Sequence, residues 1–296
     1  MGLAVKALLR GRRALETGRN APQFVPPGHY YSPVPPLSEI RAREALIFAV
    51  PRQISAVDLR EPAQLELLQA LSGYYRDQPF PVQRSPERRY WLNNLSFNYS
   101  DGIVLQAMIR HVRPRRIIEI GSGWSSCAML DTNELFFDNQ IQLTFIDPYP
   151  KTLRSLMRSE DEERAEILEI PIQDVSLDRF RGLEPGDILF VDSTHVSRVG
   201  SDVNRIIFEI LPSVKPGVLI HFHDIFYPFE YPKAWILEGR VWSEAYLLRA
   251  FLEYNSAFEI ALFGTYLARF HKAFFEQHMP LCLKDTGGSL WLRRVC

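Results

Sequence analysis

From Arg115 onward, short apolar runs alternate with segments of helical periodicity. Strand-like runs cover 115–120, 141–147, 166–170, 187–192, 217–223, 258–263 and 289–293, and helical segments such as 151–158 and 201–212 separate the earlier ones. Several runs, Ile188-Leu189-Phe190-Val191 among them, are apolar without alternation, as expected of strands covered by helices on both faces. Strands alternating with helices predict an α/β fold with a doubly wound, mostly parallel, seven-stranded sheet.

The first part of the chain has a different texture. Pro22, Pro26, Pro27, Pro33, Pro35 and Pro36 exclude a regular helix or a central strand, yet His29, Tyr30 and Tyr31 lie among them. That stretch reads equally as a linker or as an aromatic arm, and Pro27–Ser32 is a candidate to fold over the ligand cleft. Residues 37–48 and 59–75 read as helical, and Ser100 or Asp101 is placed to cap a helix that runs to about Val112 and ends at Pro114. The predicted organisation is a basic helix, proline-rich arm and helical extension over 1–89, followed by the sheet domain over 90–296.

A length of 296 residues suits one large α/β domain with additions, or two domains, and 46% hydrophobic with 23% charged residues describes an ordinary globular chain. A net charge of −1 gives no electrostatic reason to expect nucleic acid. Cys127, Cys282 and Cys296 are widely spaced without a C-x-x-C pair, which fits a reducing cytoplasm better than a disulfide framework or structural zinc. In residues 1–19, Lys6 splits an apolar set too short for a signal core or a membrane span, and it stands where a myristoylation site requires Ser or Thr. A solvated basic terminus is favoured there over a basic amphipathic helix touching anionic lipid. No transmembrane segment is predicted, and an oligomer is compatible with these features.

Candidate chemistry collects at strand ends. The first strand leads through Glu119 into Gly121-Ser122-Gly123, a tight turn that opens a helix; the second ends at Asp147; the fourth at Asp192-Ser193-Thr194-His195; and the fifth at His221-Phe222-His223-Asp224. In an open α/β sheet the ligand crevice lies beyond the carboxyl ends of the strands, so these clusters are expected to face one cleft. A glycine turn followed by an acid after the next strand reads as a nucleoside-cofactor site. Each cluster also has a plain reading: glycine serves any tight turn, an acid at a strand end caps the next helix, and a strand histidine is commonly a satisfied core group. Phe226, Tyr227, Phe229, Tyr231, Trp235 and Trp242 follow the last cluster and read equally as a lid or stacking platform and as a packed satellite cluster.

On Glu119-Ile120-Gly121-Ser122-Gly123 and Phe145-Ile146-Asp147-Pro148 the chain resembles the class I S-adenosylmethionine-dependent methyltransferases, over roughly residues 90–293. The resemblance implies a Rossmann-like sheet, a methionine moiety beside the glycine turn, and ribose hydroxyls on Asp147. It places Gln173-Asp174 at the adenine, and it implies Glu119, Gly121, Ser122, Gly123, Asp147, Asp174 and Asp192 as cofactor-binding residues. Asp192 to His195, Pro216-Gly217-Val218 and His223-Asp224 are similar to the branch containing cephalosporin-cluster and macrolide-sugar O-methyltransferases, distant relatives of catechol O-methyltransferase. Against the magnesium ligands of the catechol type, Asp192 falls on the first aspartate, His223 on the second and Asp224 on the asparagine, while His195 takes the place of the lysine base. A histidine suits magnesium poorly, so the resemblance leaves open magnesium, a softer ion such as manganese, iron or zinc, or no metal.

An alcohol must lose its proton as it attacks the methyl carbon, and an imidazole suits that task. His195 is therefore the expected base, with His223 beside it as a second catalytic residue. By resemblance to the branch, the acceptor is a hydroxyl of a small molecule or glycan. Three other readings remain open: a dinucleotide oxidoreductase, disfavoured because Ser126 replaces the third fingerprint glycine; a metal-dependent hydrolase or oxygenase on His221, His223 and Asp224; and a non-catalytic cofactor-binding protein.

Overall fold

The computed structural model describes residues 23–296, so the expectation for residues 1–19 lies outside the described residues. The described chain divides into two compact units, 23–49 with 237–241, and 50–236 with 242–296. In the first unit, residues 37–48 form two short helices, Leu37–Ala42 and Glu44–Ile47, interrupted at Arg43. Tyr30 and Tyr31 of the proline-rich stretch are exposed.

The second unit contains one seven-stranded sheet: β1 Arg116–Ile120, β2 Gln142–Ile146, β3 Ala165–Leu168, β4 Ile188–Val191, β5 Leu219–Phe222, β6 Phe258–Phe263 and β7 Leu290–Arg294. Their order is β3-β2-β1-β4-β5-β7-β6, with β1 to β5 parallel and β7 antiparallel to both neighbours. Every expected strand is present. Every residue of β4 and β5 is buried, which is why β4 is wholly apolar and β5 is apolar apart from His221. The direction of winding reverses between β1 and β4, the switch point outside whose carboxyl ends open α/β sheets bind their ligands.

Helix boundaries depart from expectation where side chains are committed elsewhere. The helix Tyr99–Val112 begins after Asn98, ahead of both predicted caps. Asp101 does not cap it, because its Oδ1 accepts from the Ser289 hydroxyl at 2.7 Å and the Gly288 N–H at 3.2 Å. The segment 201–212 starts as a helix at Asp202–Arg205, widens into a π turn at Ile206–Ile210, and ends as a 3₁₀ turn containing Pro212. Pro212 has no N–H with which to continue an α-helical ladder.

Residues 50–89, read from sequence as part of the extension, lie in the same unit as the sheet. The Phe263 N–H of β6 donates to Gln64 Oε1 at 2.7 Å. Arg89 is buried among Asp131 at 2.8 Å, Asp161 at 2.6 Å and Glu134 at 2.8 Å. One guanidinium thus fastens the entry segment to the helix Trp124–Phe137 and to the turn before β3. Among the described residues no helix is long and apolar enough to cross a membrane.

Candidate active site

The ladder hydrogen bonds continue one residue past the parallel strands. Gly121 N–H donates to Ile146 at 2.9 Å, Asp147 N–H to Leu168 at 3.0 Å, Asp192 N–H to Ile120 at 2.9 Å and His223 N–H to Val191 at 2.9 Å. These four predicted site residues therefore stand in a row along the carboxyl edge of the sheet. At Gly121 the backbone has φ +86°, and an ideal Cβ there would lie 1.8 Å from the Asp192 carbonyl oxygen. Only glycine allows the β1 turn to pass this close to the end of β4.

The turn is tied down on both sides. Asp147 Oδ2 accepts from the Ser122 N–H at 3.0 Å and its hydroxyl at 2.8 Å, and Oδ1 accepts from the Tyr149 N–H at 2.7 Å. A carboxylate offers about four acceptor positions, so this half-buried group keeps capacity for a ligand hydroxyl. Glu119 is fully buried and accepts from the hydroxyls of Ser125 and Ser126, which joins β1 to the first turn of the following helix. Burial pushes its carboxyl up to about 8, against the opposing pull of the two serine hydroxyls. Asp174 sits on a 3₁₀ turn after β3 with its side chain exposed, while Gln173 Nε2 donates to the Gly200 carbonyl at 2.8 Å. A partly exposed acid facing a glycine turn at the switch point is a fitting cradle for a nucleoside cofactor.

Beyond β4 and β5 the acids surround one imidazole. His195 Nδ1 lies 2.9 Å from Glu244 Oε2, while Nε2 lies 3.4 Å from Asp192 Oδ1 and 3.8 Å from Asp224 Oδ2. Burial works against a charged His195, but Asp192 and Glu244 outweigh it and hold the ring's pKa well above the ordinary histidine range. Burial likewise opposes ionisation of Asp192, yet His223 and His195 bring its carboxyl down to about 2. His223 is also raised, against burial, by Asp224, Asp192 and Asp101.

His221 behaves differently from its neighbour two residues on. Its ring stacks on Phe190 at 3.8 Å and its Nε2 is 3.0 Å from the Ser289 hydroxyl, which itself donates to Asp101. Burial, reinforced by the His223 charge, keeps it neutral. It is a core histidine, and a metal site built on His221, His223 and Asp224 is not assembled.

The implied metal set of Asp192, His223 and Asp224 fits no better. Among the described residues no group of three or more His, Cys, Asp or Glu side chains is disposed to hold a metal ion. The reason lies in the donors: the His195 ring already stands between Asp192 and Asp224, with Nε2 3.4 Å from one carboxylate and 3.8 Å from the other.

The aromatic segment divides its duties. Tyr227, Phe229 and Tyr231 are buried in the core, whereas Phe226, Trp235 and Trp242 are half-buried. Trp242 lies 4.5 Å from the His195 ring and 5.3 Å from Trp235, centroid to centroid, forming a wall beside the acid–histidine cluster.

A family model described as a methyltransferase domain covers residues 118–225, from within β1 to just past Asp224. An uncharacterized protein of Archaeoglobus fulgidus is 35% identical over 178 residues, covering 58% of this chain and 79% of its own. The chain belongs to the class I S-adenosylmethionine-dependent methyltransferases. The methyltransferase is also similar to the O-methyltransferase TomG of Streptomyces achromogenes, solved with S-adenosylmethionine, at 17% identity and TM-score 0.43 over 88% of this chain and 96% of that one. A Podospora anserina methyltransferase solved with S-adenosylhomocysteine is 14% identical with TM-score 0.44, over 93% of this chain and 100% of that one.

Sequence reasoning missed two acids of this methyltransferase's centre. Glu244 is 49 residues from His195, with β5 between them, and carries no motif, and Asp101 reads from sequence as a helix cap. A fully buried carboxylate at each position was the only signal, and burial is not visible in the residue types.

Proposed function

We propose that the protein transfers the methyl group of S-adenosylmethionine to a hydroxyl of a small molecule or glycan, with His195 Nε2 receiving the proton. The observation that carries this reading is the placement of His195 Nε2 between Asp192 and Asp224, at the edge where the Gly121 turn meets the end of β4. Bound S-adenosylmethionine supplies an electrophilic methyl on sulfur, and the acceptor oxygen forms the new C–O bond as the C–S bond breaks.

The chain's own residues then have three tasks. The Gly121 to Gly123 turn and Asp147 hold the nucleoside end, with Asp147 accepting from ribose hydroxyls. Trp242 and Trp235 form an apolar wall against which the acceptor is oriented and water is excluded. His195, once it has shed the proton shared with Asp192, accepts the acceptor's proton at Nε2.

The test is calorimetric titration of chelator-treated protein with S-adenosylmethionine, followed by a radiolabelled methyl-transfer screen over sugars, phenols, aliphatic alcohols and amines. Saturable binding that Asp147→Ala abolishes, with label entering hydroxyl compounds, supports the reading. Absence of binding sinks it, and label confined to amines overturns the choice of oxygen.

A further inference from the structure

We propose that Glu244 is the positioning residue for His195, fixing which ring nitrogen carries the proton and aiming the other into the reaction centre. The inference rests on the proposed function for its catalytic meaning and on contacts within the unit for its geometry.

The two residues hold each other at two points. His195 Nδ1 is within hydrogen-bond distance of Glu244 Oε2, 2.9 Å, and the His195 carbonyl accepts from the Ser243 N–H at 2.9 Å and the Glu244 N–H at 3.1 Å. The first turn of the helix Glu244–Tyr254 is therefore hung on the backbone of the residue whose ring its side chain grips. His195 itself has φ +61°, the left-handed region that side-chain-bearing residues rarely occupy, so its backbone is over-determined by these contacts. The surrounding loop is held in the same way: the Ser197 N–H donates to the Ser243 hydroxyl at 2.9 Å, and the Thr194 N–H donates to Asp202 at 2.8 Å. Trp242 covers one side of the ring.

The chemistry of the pair assigns the tautomer. An ionised carboxylate only accepts, so Nδ1 must carry the proton toward Glu244 and Nε2 is left as the nitrogen that exchanges one. A buried carboxylate kept for packing would have both oxygens bonded. Here Glu244 is fully buried and its Oε1 has no hydrogen-bond partner; burial raises its carboxyl, and the contact with His195 is what opposes that rise and favours the ionised form.

The test is ¹⁵N-histidine spectroscopy of the full chain loaded with S-adenosylhomocysteine, with His195→Asn assigning the ring signals. The wild type should show His195 protonated at Nδ1, with a low-field, solvent-protected N–H. In Glu244→Gln that proton should move upfield and exchange faster, and Glu244→Asp, which keeps the charge but shortens the reach, should do the same. His195 ring signals identical to wild type in either folded variant would overturn the proposal. So would a large loss of S-adenosylmethionine affinity in both variants, which would mark Glu244 as general structural support. Wild-type protein that binds no S-adenosylmethionine removes the methyl-transfer reading instead, and leaves the His195–Glu244 spectra unaffected.

Discussion

Gly121 approaches the carbonyl of Asp192 so closely that a Cβ would sit 1.8 Å from its oxygen, in a backbone conformation at φ +86°. Gly123, two residues on, is in extended backbone, and a Cβ there would meet nothing closer than the Thr152 methyl at 3.6 Å. The two glycines of one turn should therefore respond differently. Gly121→Ala is expected to destabilise the fold by roughly 1–3 kcal/mol and to abolish S-adenosylmethionine binding. Gly123→Ala should leave the urea midpoint almost unchanged. Equal stability losses in chemical denaturation would contradict this account of the turn.

Asp147 bridges Ser122 and Tyr149, and keeps an acceptor position on its half-buried carboxylate. Asp147→Asn retains size and one acceptor oxygen but loses the charge. It should weaken S-adenosylmethionine binding about tenfold or more, in line with hydrogen bonds to charged groups at about 1.5–3 kcal/mol each. Calorimetry on folded variant reads this directly, and wild-type affinity would place the ribose elsewhere.

The sheet was legible because its physics is local. Ile188 to Val191 reads as a buried strand from its own residues, and Gly121 announces a tight turn wherever it occurs. The carboxyl-edge row of Gly121, Asp147, Asp192 and His223 then follows from parallel winding alone. What stayed hidden depends on pairs distant in sequence. Asp101 looks like a cap until Ser289 takes its carboxylate, and Glu244 looks like a first-turn helix acid until His195 is seen against it. His221 and His223 are alike in sequence, yet burial and the neighbouring His223 lower the first while Asp224, Asp192 and Asp101 raise the second against burial.

Glu119 gives the apo protein a distinctive pH dependence. Burial holds its carboxyl at about 8 against an ordinary 4.5, so between those values the folded chain keeps a proton that the unfolded chain has released. Its contribution to stability is complete below the lower value and falls as pH rises toward the upper one. The loss should amount to roughly a few kcal/mol. Glu119→Gln should flatten this decline in urea melts from pH 5 to 8; an unchanged slope would show that Glu119 is ionised in the fold.

Arg89 is the hinge pin between the entry segment and the sheet. Arg89→Met leaves Asp131 and Asp161 buried without their cation, and losing one partner of a buried ion pair costs about 3–5 kcal/mol. We expect a cooperative loss of stability of that size by denaturation. A variant as stable as wild type would show that the two aspartates reach water or a proton when the guanidinium is removed.

His195 decides how the reaction responds to pH. Asp192 and Glu244 keep its ring protonated above the usual histidine range despite burial, and a protonated Nε2 cannot accept the acceptor's proton. The rate should therefore rise with pH as His195 loses its proton, with a midpoint above 6.5, and then level off. Removing the negative charge of Asp192 as Asp192→Asn should move that midpoint downward, because the second-largest influence on the ring is that carboxylate. His195→Ala should lower methyl transfer by about 10²- to 10⁴-fold, the usual worth of a positioned general base, with S-adenosylmethionine affinity intact. These three results are coupled. A rate that is flat with pH in the wild type, or that falls on the alkaline side as a protonated His195 is lost, would make the ring a hydrogen-bond donor to the acceptor instead of its base.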